Sequence, residues 1–283
     1  MKKMIIVGAS GFVGSQLTNT FTTKGYEVIA TSRDDLHNIS QLISKIDGAD
    51  VVINLAGANI INRWSESYKK LLYSSRIDTT KALVKAFSLA KIKPKTFIST
   101  SAVGIYKNDD TYNEDTQNYA NDFLGQLCQD WETEALKAKE LGMRVSIFRF
   151  GIVLGDGGAL AKMLTPFKLG IGGTIGDGSQ SFSFIHIDDL INAYIFVIEN
   201  ELENGIFNLT APQPTTNYGL TKALGKILNR PTILPIPQFV LNLLLSEGAK
   251  VLTDGQKAIP THLINSGFTF KYENIEETIK DLV

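Results

Sequence analysis

Cysteine is almost absent. Cys128 is the one thiol among 283 residues, so no disulfide can form within the chain, and a reducing, cytoplasmic setting is expected. Histidine is nearly as scarce, and the three that occur are too scattered to offer metal-ligand spacing. No sign of charge dominates. Lys and Arg total 28, Asp and Glu 29, and the net charge of −1 offers no footprint for nucleic acid or for a membrane surface. Long hydrophobic runs are missing too. Met4–Val7 is too short for the core of a signal peptide, and Leu241–Leu245 is far too short to span a bilayer. With 43% hydrophobic and 20% charged residues, the composition is that of a packed globule, either one large domain or one domain with an appendage.

What is present is concentrated near the start. Residues 4–14 read Met-Ile-Ile-Val-Gly-Ala-Ser-Gly-Phe-Val-Gly. An apolar run leads into Gly8, Gly11 and Gly14, and Phe12, Leu17 and Phe21 then recur at helical spacing. This predicts a strand, a tight turn and a helix N-terminus. Glycine lets the backbone turn sharply and approach a pyrophosphate, while the helix offers free N–H groups to the anion. Gly8, Ser10, Gly11, Phe12, Val13 and Gly14 are therefore read as dinucleotide-binding residues.

Further apolar runs at 28–31, 51–55, 96–100 and 145–148 alternate with helical patterns over 64–91 and 121–141. The alternation predicts an α/β, Rossmann-like, doubly wound parallel sheet. Residues 34–50 are few for both a connection and a third strand, so that strand is expected to be reduced or missing. After residue 150 come glycine-rich loops, then Pro212, Pro214, Pro231, Pro235 and Pro237, and a helical tail from about Gln238. The division expected is a nucleotide-binding domain over 1–220, with substrate-side insertions after about 150, and a small helical module over 236–283. The second half should close over the C-terminal ends of the strands, where ligands bind in such sheets.

The second strand ends Ala30-Thr31-Ser32-Arg33, with no carboxylate at its end. NAD sites place an acid there, and NADP sites commonly place an arginine that faces the 2′-phosphate. Ser32 and Arg33 therefore point to NADP(H) over NAD. Asp34 or Asp35 would reverse this if the strand ended later.

Several segments resemble the extended short-chain dehydrogenase/reductase superfamily. They are Gly8–Gly14, Asn54-Leu-Ala-Gly57, Ser99-Thr-Ser101, and Gly176-Asp-Gly-Ser-Gln-Ser-Phe-Ser-Phe-Ile-His-Ile-Asp-Asp189. Others are similar to its YfcH-like branch of "epimerase family proteins". They include Arg63-Trp64, Lys69, Ser75-Arg76, Ser101-Ala-Val-Gly104 with Tyr106, Trp131-Glu132, Gly151–Gly155, Asn208-Leu-Thr-Ala-Pro212 and Gly267-Phe268. The resemblance runs nearly end to end. It implies an NADP-binding Rossmann-like core, with Leu55, Ala56, Gly57 and Ser99 beside the cofactor, and a small helical C-terminal module. It implies no agreed substrate.

The resemblance also shows what is missing. Ordinary members use a tyrosine and a lysine four residues later for proton transfer. Leu124 and Cys128 stand at those positions here, and Arg76 stands where an asparagine is usual. Ser101 is retained and is expected to polarise a substrate oxygen. Tyr106, in the same loop, is the candidate proton donor, with a packed aromatic as the alternative. Tyr218 and Lys222 form the one Tyr-x-x-x-Lys, but in a peripheral context that reads as an exposed helix pair. Arg63, Arg76 and Lys69, with Trp64, suggest a cationic wall for an anionic substrate. His186 is a further substrate-side candidate, Asp188 is expected to cap the following helix, and Cys128 is expected to be buried and inert. Phe182 replaces the arginine that holds a diphosphate in nucleotide-sugar epimerases.

The expected function is an NADP(H)-binding oxidoreductase acting on a small carbonyl or alcohol compound. The alternatives are a non-catalytic NADP(H)-binding sensor or scaffold and, more weakly, a sugar epimerase or dehydratase.

Overall fold

The computed structural model describes residues 1–201 and 205–283. Six parallel strands form the central sheet: β1 (Lys3–Val7), β2 (Glu27–Thr31), β3 (Val51–Asn54), β4 (Thr96–Ala102), β5 (Arg144–Phe150) and β6 (Gly205–Leu209), in the order β6-β5-β4-β3-β1-β2. The chain first steps from β1 to β2, then returns to build outward on the other side. The order therefore reverses between β1 and β3, which is where open α/β sheets bind ligands.

Alternation along the strands supplies both faces of the core. Met4 and Ile6 face helices α1 (Phe12–Thr23) and α7 (Ile187–Glu199), packing with Leu17, Phe21, Leu190 and Tyr194. Ile5 and Val7 face the opposite layer, with Leu42 of α3 (Ile39–Ile46), Leu83 and Phe87 of α4 (Glu66–Leu89), and Ala135 of α5 (Phe123–Leu136). The third strand is missing as expected. Residues 33–46 instead fold as the short helix α2 (Arg33–His37) and then α3, which leaves β2 at the edge.

Side chains fix where the helices begin. Ser65 caps α4 by accepting from the N–H of Tyr68, and Asp122 caps α5 by accepting from that of Gly125. The expected cap for α7 was Asp188, and the structure corrects this. His186 is the cap: its Nδ1 accepts from the Asp188 N–H at 3.0 Å. The remaining chain forms α6 (Gly158–Lys168), α8 (Asn217–Leu228), α9 (Gln238–Leu245) and short C-terminal helices. Among the described residues, no helix is long and apolar enough to cross a membrane.

Candidate active site

A cavity of about 470 Å³ opens at the C-terminal ends of β1, β3, β4 and β5. Gly8, Gly11, Phe12, Val13 and Gly14 line one side of it, and Leu55, Ala56 and Gly57 the next. Residues from α6, from 181–183 and from 250–256 close the far side, so the second half does cover the strand ends.

The glycine turn is built too tightly for side chains. Gly8 has φ +86°, where other residues are strained, and a Cβ on Gly14 would lie 2.2 Å from the Gly8 carbonyl. Gly11 opens α1, and no side chain caps that end. The first-turn N–H groups therefore remain available beside the cavity, the arrangement that receives a phosphate. This donor set and the missing Cβ atoms suit a dinucleotide pyrophosphate.

Other residues expected at the cofactor lie differently. Ser10 is exposed in the turn but does not line the cavity. Ser99 is fully buried one pleat below Ser101, inside the sheet, so its side chain is walled off from the cavity. Ser32 is committed to a helix cap. Its Oγ accepts from the Asp35 N–H and donates to the Asp35 carboxylate at 2.7 Å. That carboxylate also takes the Lys45 ammonium at 2.7 Å. The Lys45 and Ser32 hydrogen bonds hold the Asp35 pKa down at about 2. Arg33 is exposed at the start of α2, two residues past Thr31, which pairs in register with Val7 just before the glycine turn.

The chemistry-bearing wall contains Ser101 and Arg76. Ser101 donates to Glu132 Oε1 at 2.7 Å. Glu132 in turn holds Arg149 through two bonds of 2.8 Å, from Nε and Nη2. Arg149 has 0% exposure and pairs across β4 and β5 with Ser101 itself. Burial pulls its pKa down, but the bonds to Glu132 outweigh that and hold it above the ordinary guanidinium value. Neither Glu132 nor Arg149 figured among the expected site residues. One signal was visible: Arg149 stands between Phe148 and Phe150 directly after the run 145–148, where a buried charge must find a partner.

Arg76 crosses over Gly57, where a Cβ would meet its guanidinium at 2.9 Å. It donates to the carbonyls of Leu72 at 3.2 Å and Ala58 at 3.1 Å, and lies 5.3 Å from the Trp131 ring. Burial lowers its pKa from the ordinary guanidinium value. No carboxylate among the described residues forms an ion pair with it. A cation in this position attracts an anionic or oxygen-rich ligand group.

The structure corrects four expectations here. Tyr106 does not face the cavity. Its side chain is fully buried, its hydroxyl donates to Asn208 at 2.9 Å and accepts from Arg149 at 2.7 Å, and burial pushes its pKa up to about 12. It is the packed aromatic of the alternative reading, stacked on Tyr112. The cationic wall is reduced to Arg76. Arg63 is exposed, and Lys69 is neutralised by Glu247 at 2.6 Å. Trp64 is buried against Phe123 and donates to the Ile60 carbonyl, outside the cavity lining. His186 is buried as a helix cap, stacked on Tyr272 at 3.8 Å.

Leu124 and Cys128 do line the cavity, and burial raises the thiol to about 12, which leaves it inert near neutral pH. Lys222 sits 5.1 Å over the Tyr218 ring on α8, and neither lines the cavity. Phe182 is buried in a separate apolar cluster with Phe184 and Leu220.

Residues 4–210 match the NAD dependent epimerase/dehydratase family, and residues 236–282 match a domain of unknown function, DUF1731. An epimerase family protein of Staphylococcus haemolyticus is 37% identical over 297 residues, covering 100% of this chain and 99% of the relative. A crystal structure of the human epimerase family protein SDR39U1 with NADPH superposes with a TM-score of 0.90 at 32% identity, covering 99% of this chain and 98% of the human one. A nucleoside-diphosphate sugar epimerase from Corynebacterium glutamicum superposes at 0.81 with 31% identity, covering 99% of this chain and 58% of that protein. The fold is thus that of NAD(P)-binding short-chain dehydrogenase/reductase-like proteins, and the chain belongs to the NAD dependent epimerase/dehydratase family.

Proposed function

We propose that the protein is a cytoplasmic NADP(H)-dependent oxidoreductase acting on a small carbonyl or alcohol compound. One observation carries this reading: the uncapped glycine turn, Ser101 and Arg76 all line a single cavity. When bound, the nicotinamide supplies or accepts the hydride. The chain's own residues hold and neutralise the reactants. The backbone at Gly8–Gly14 takes the pyrophosphate, and Arg33 takes the 2′-phosphate. NADP(H) is favoured over NAD because Asp35, one of the two acids that could hold a free 2′-hydroxyl, is already bound to Ser32 and Lys45. The human relative's structure with NADPH supports the same choice.

At the substrate end, Ser101 plays a different part from the one expected of it. Its proton is committed to Glu132, so it presents lone pairs to the cavity. It accepts the hydroxyl proton of an alcohol while its own proton passes to Glu132. Arg76 stabilises the negative charge that builds on the substrate oxygen. Tyr106 has no role in this step.

Thermal shift tests the cofactor claim, since a ligand that binds only the native state raises the melting temperature. NADPH should raise it more than NADH at equal concentration, and Arg33→Ala should erase the difference. Equal shifts for wild type would overturn the 2′-phosphate assignment. For the chemistry, a panel of alcohols and aldehydes is assayed by the change in nicotinamide absorbance. Arg76→Met should lower kcat by about 10²–10³, the usual effect of losing one charge-stabilising donor. Ser101→Ala should fall comparably.

A second reading has a specific observation in its favour. The usual proton-transfer pair is replaced by Leu124 and an inert Cys128, which suits a non-catalytic NADP(H)-binding sensor or scaffold. A persistent NADPH shift with no turnover above Ser101→Ala, across the whole panel, would establish it instead. A sugar-nucleotide substrate is disfavoured, because Phe182 is packed into a core and offers nothing to a diphosphate.

A further inference from the structure

Helix α9 is apolar and buries none of its residues. Phe239 is 70% exposed and Leu243 74%. The chain enters this helix from a second exposed apolar strip, where Ile233 is 80% exposed. Leu169, on the turn that leaves α6, is 70% exposed and belongs to the same surface. Three contacts join these segments. Gly173 abuts the Leu234 carbonyl, the Ile236 N–H donates to Thr174 at 2.7 Å, and Arg230 Nε donates to the Lys168 carbonyl at 3.1 Å. Exposed apolar surface of this extent marks an interaction site.

Charge identifies the occupant. The segments that carry α6, α8 and α9, residues 158–176 and 217–246, contain none of the chain's 29 acidic residues, with Asp177 and Glu247 at their borders. They carry five basic ones, Lys162, Lys168, Lys222, Lys226 and Arg230, all exposed. None of the five forms an ion pair among the described residues. The net charge of −1 conceals this, because the acids lie outside these segments in sequence. A second copy docking through the same face would set basic residues against basic residues. An anionic bilayer meets both demands at once, since it accepts apolar side chains at the headgroup boundary and attracts lysine and arginine to its phosphates.

We propose that this face docks peripherally on anionic lipid surfaces. Ile233, Phe239 and Leu243 enter the headgroup–acyl boundary, and Lys168, Lys226 and Arg230 lie against lipid phosphates. The proposal stands apart from the oxidoreductase reading, because it uses no residue of the cavity.

Co-sedimentation with vesicles tests it. The full-length protein should sediment with vesicles of phosphatidylcholine and phosphatidylglycerol, and far less with phosphatidylcholine alone. Raising the salt should weaken binding, since surface charges are screened. Lys168→Glu/Lys226→Glu should reduce partitioning at least about tenfold, given the contribution of each basic residue near an anionic surface. Phe239→Ser/Leu243→Ser should abolish it. These side chains are exposed, so both variants should keep the wild-type melting temperature. Equal sedimentation of wild type and Phe239→Ser/Leu243→Ser would overturn the proposal. So would a wild-type dimer in analytical ultracentrifugation that Phe239→Ser/Leu243→Ser dissociates, because a second copy would then cover the face.

Discussion

Arg149→Met should cost roughly 3–5 kcal/mol of folding stability, the range for breaking a buried ion pair from one side. The guanidinium has no exposure, and methionine fills much of its volume. The loss is therefore electrostatic more than steric. Glu132 would keep a charge at 6% exposure with both Arg149 bonds gone, and the Tyr106 hydroxyl would lose a donor. Glu132→Gln should cost less, because its amide oxygen can still accept from Ser101. Glu132→Leu/Arg149→Met should recover part of the loss, since a buried pair replaced on both sides leaves no stranded charge. Urea midpoints for the four proteins measure this directly. A loss below about 1 kcal/mol for Arg149→Met would mean that the pair does not tie α5 to β5.

This network also marks the boundary of what could be read from the chain. The glycine turn, α4, α5 and the missing third strand were legible because each depends on local spacing. Phe12, Leu17 and Phe21 define a helix face whatever lies beyond it. Side-chain direction in loops was not legible. Tyr106 follows Ser101 by five residues, yet its burial is decided by Tyr112 and by Ala258, far along the chain. Lys69 looked like a free cation because its partner, Glu247, arrives from the C-terminal region. His186 ended a strand as expected, but its capping role depends on the backbone turn that follows. The basic excess of the α6, α8 and α9 segments was hidden by averaging, since net charge records a sum and no positions.

Gly11→Val and Gly14→Val should separate the binding role of the turn from its packing role. Gly11 has φ −74°, ψ 170°, an extended conformation open to any residue. Its added Cβ would meet only the Gly8 carbonyl, at 3.3 Å, so a small shift accommodates it. The branched side chain would then occupy space in the cavity, above the uncapped end of α1. Gly14 differs. Its Cβ would sit 2.2 Å from the Gly8 carbonyl and 2.8 Å from the Ala9 Cα, both backbone atoms of a constrained turn. Overpacking of this kind costs about 1–3 kcal/mol or more, whether or not a ligand is present. Gly11→Val should therefore melt within a few degrees of wild type and lose the NADPH shift, which at 100 times Kd corresponds to about 2.7 kcal/mol. Gly14→Val should melt markedly lower without ligand. A full NADPH shift in Gly11→Val would show that the pyrophosphate does not lie on this turn. The cofactor would then have to be placed elsewhere in the cavity, and the roles given to Arg33 and Asp35 would fall with it.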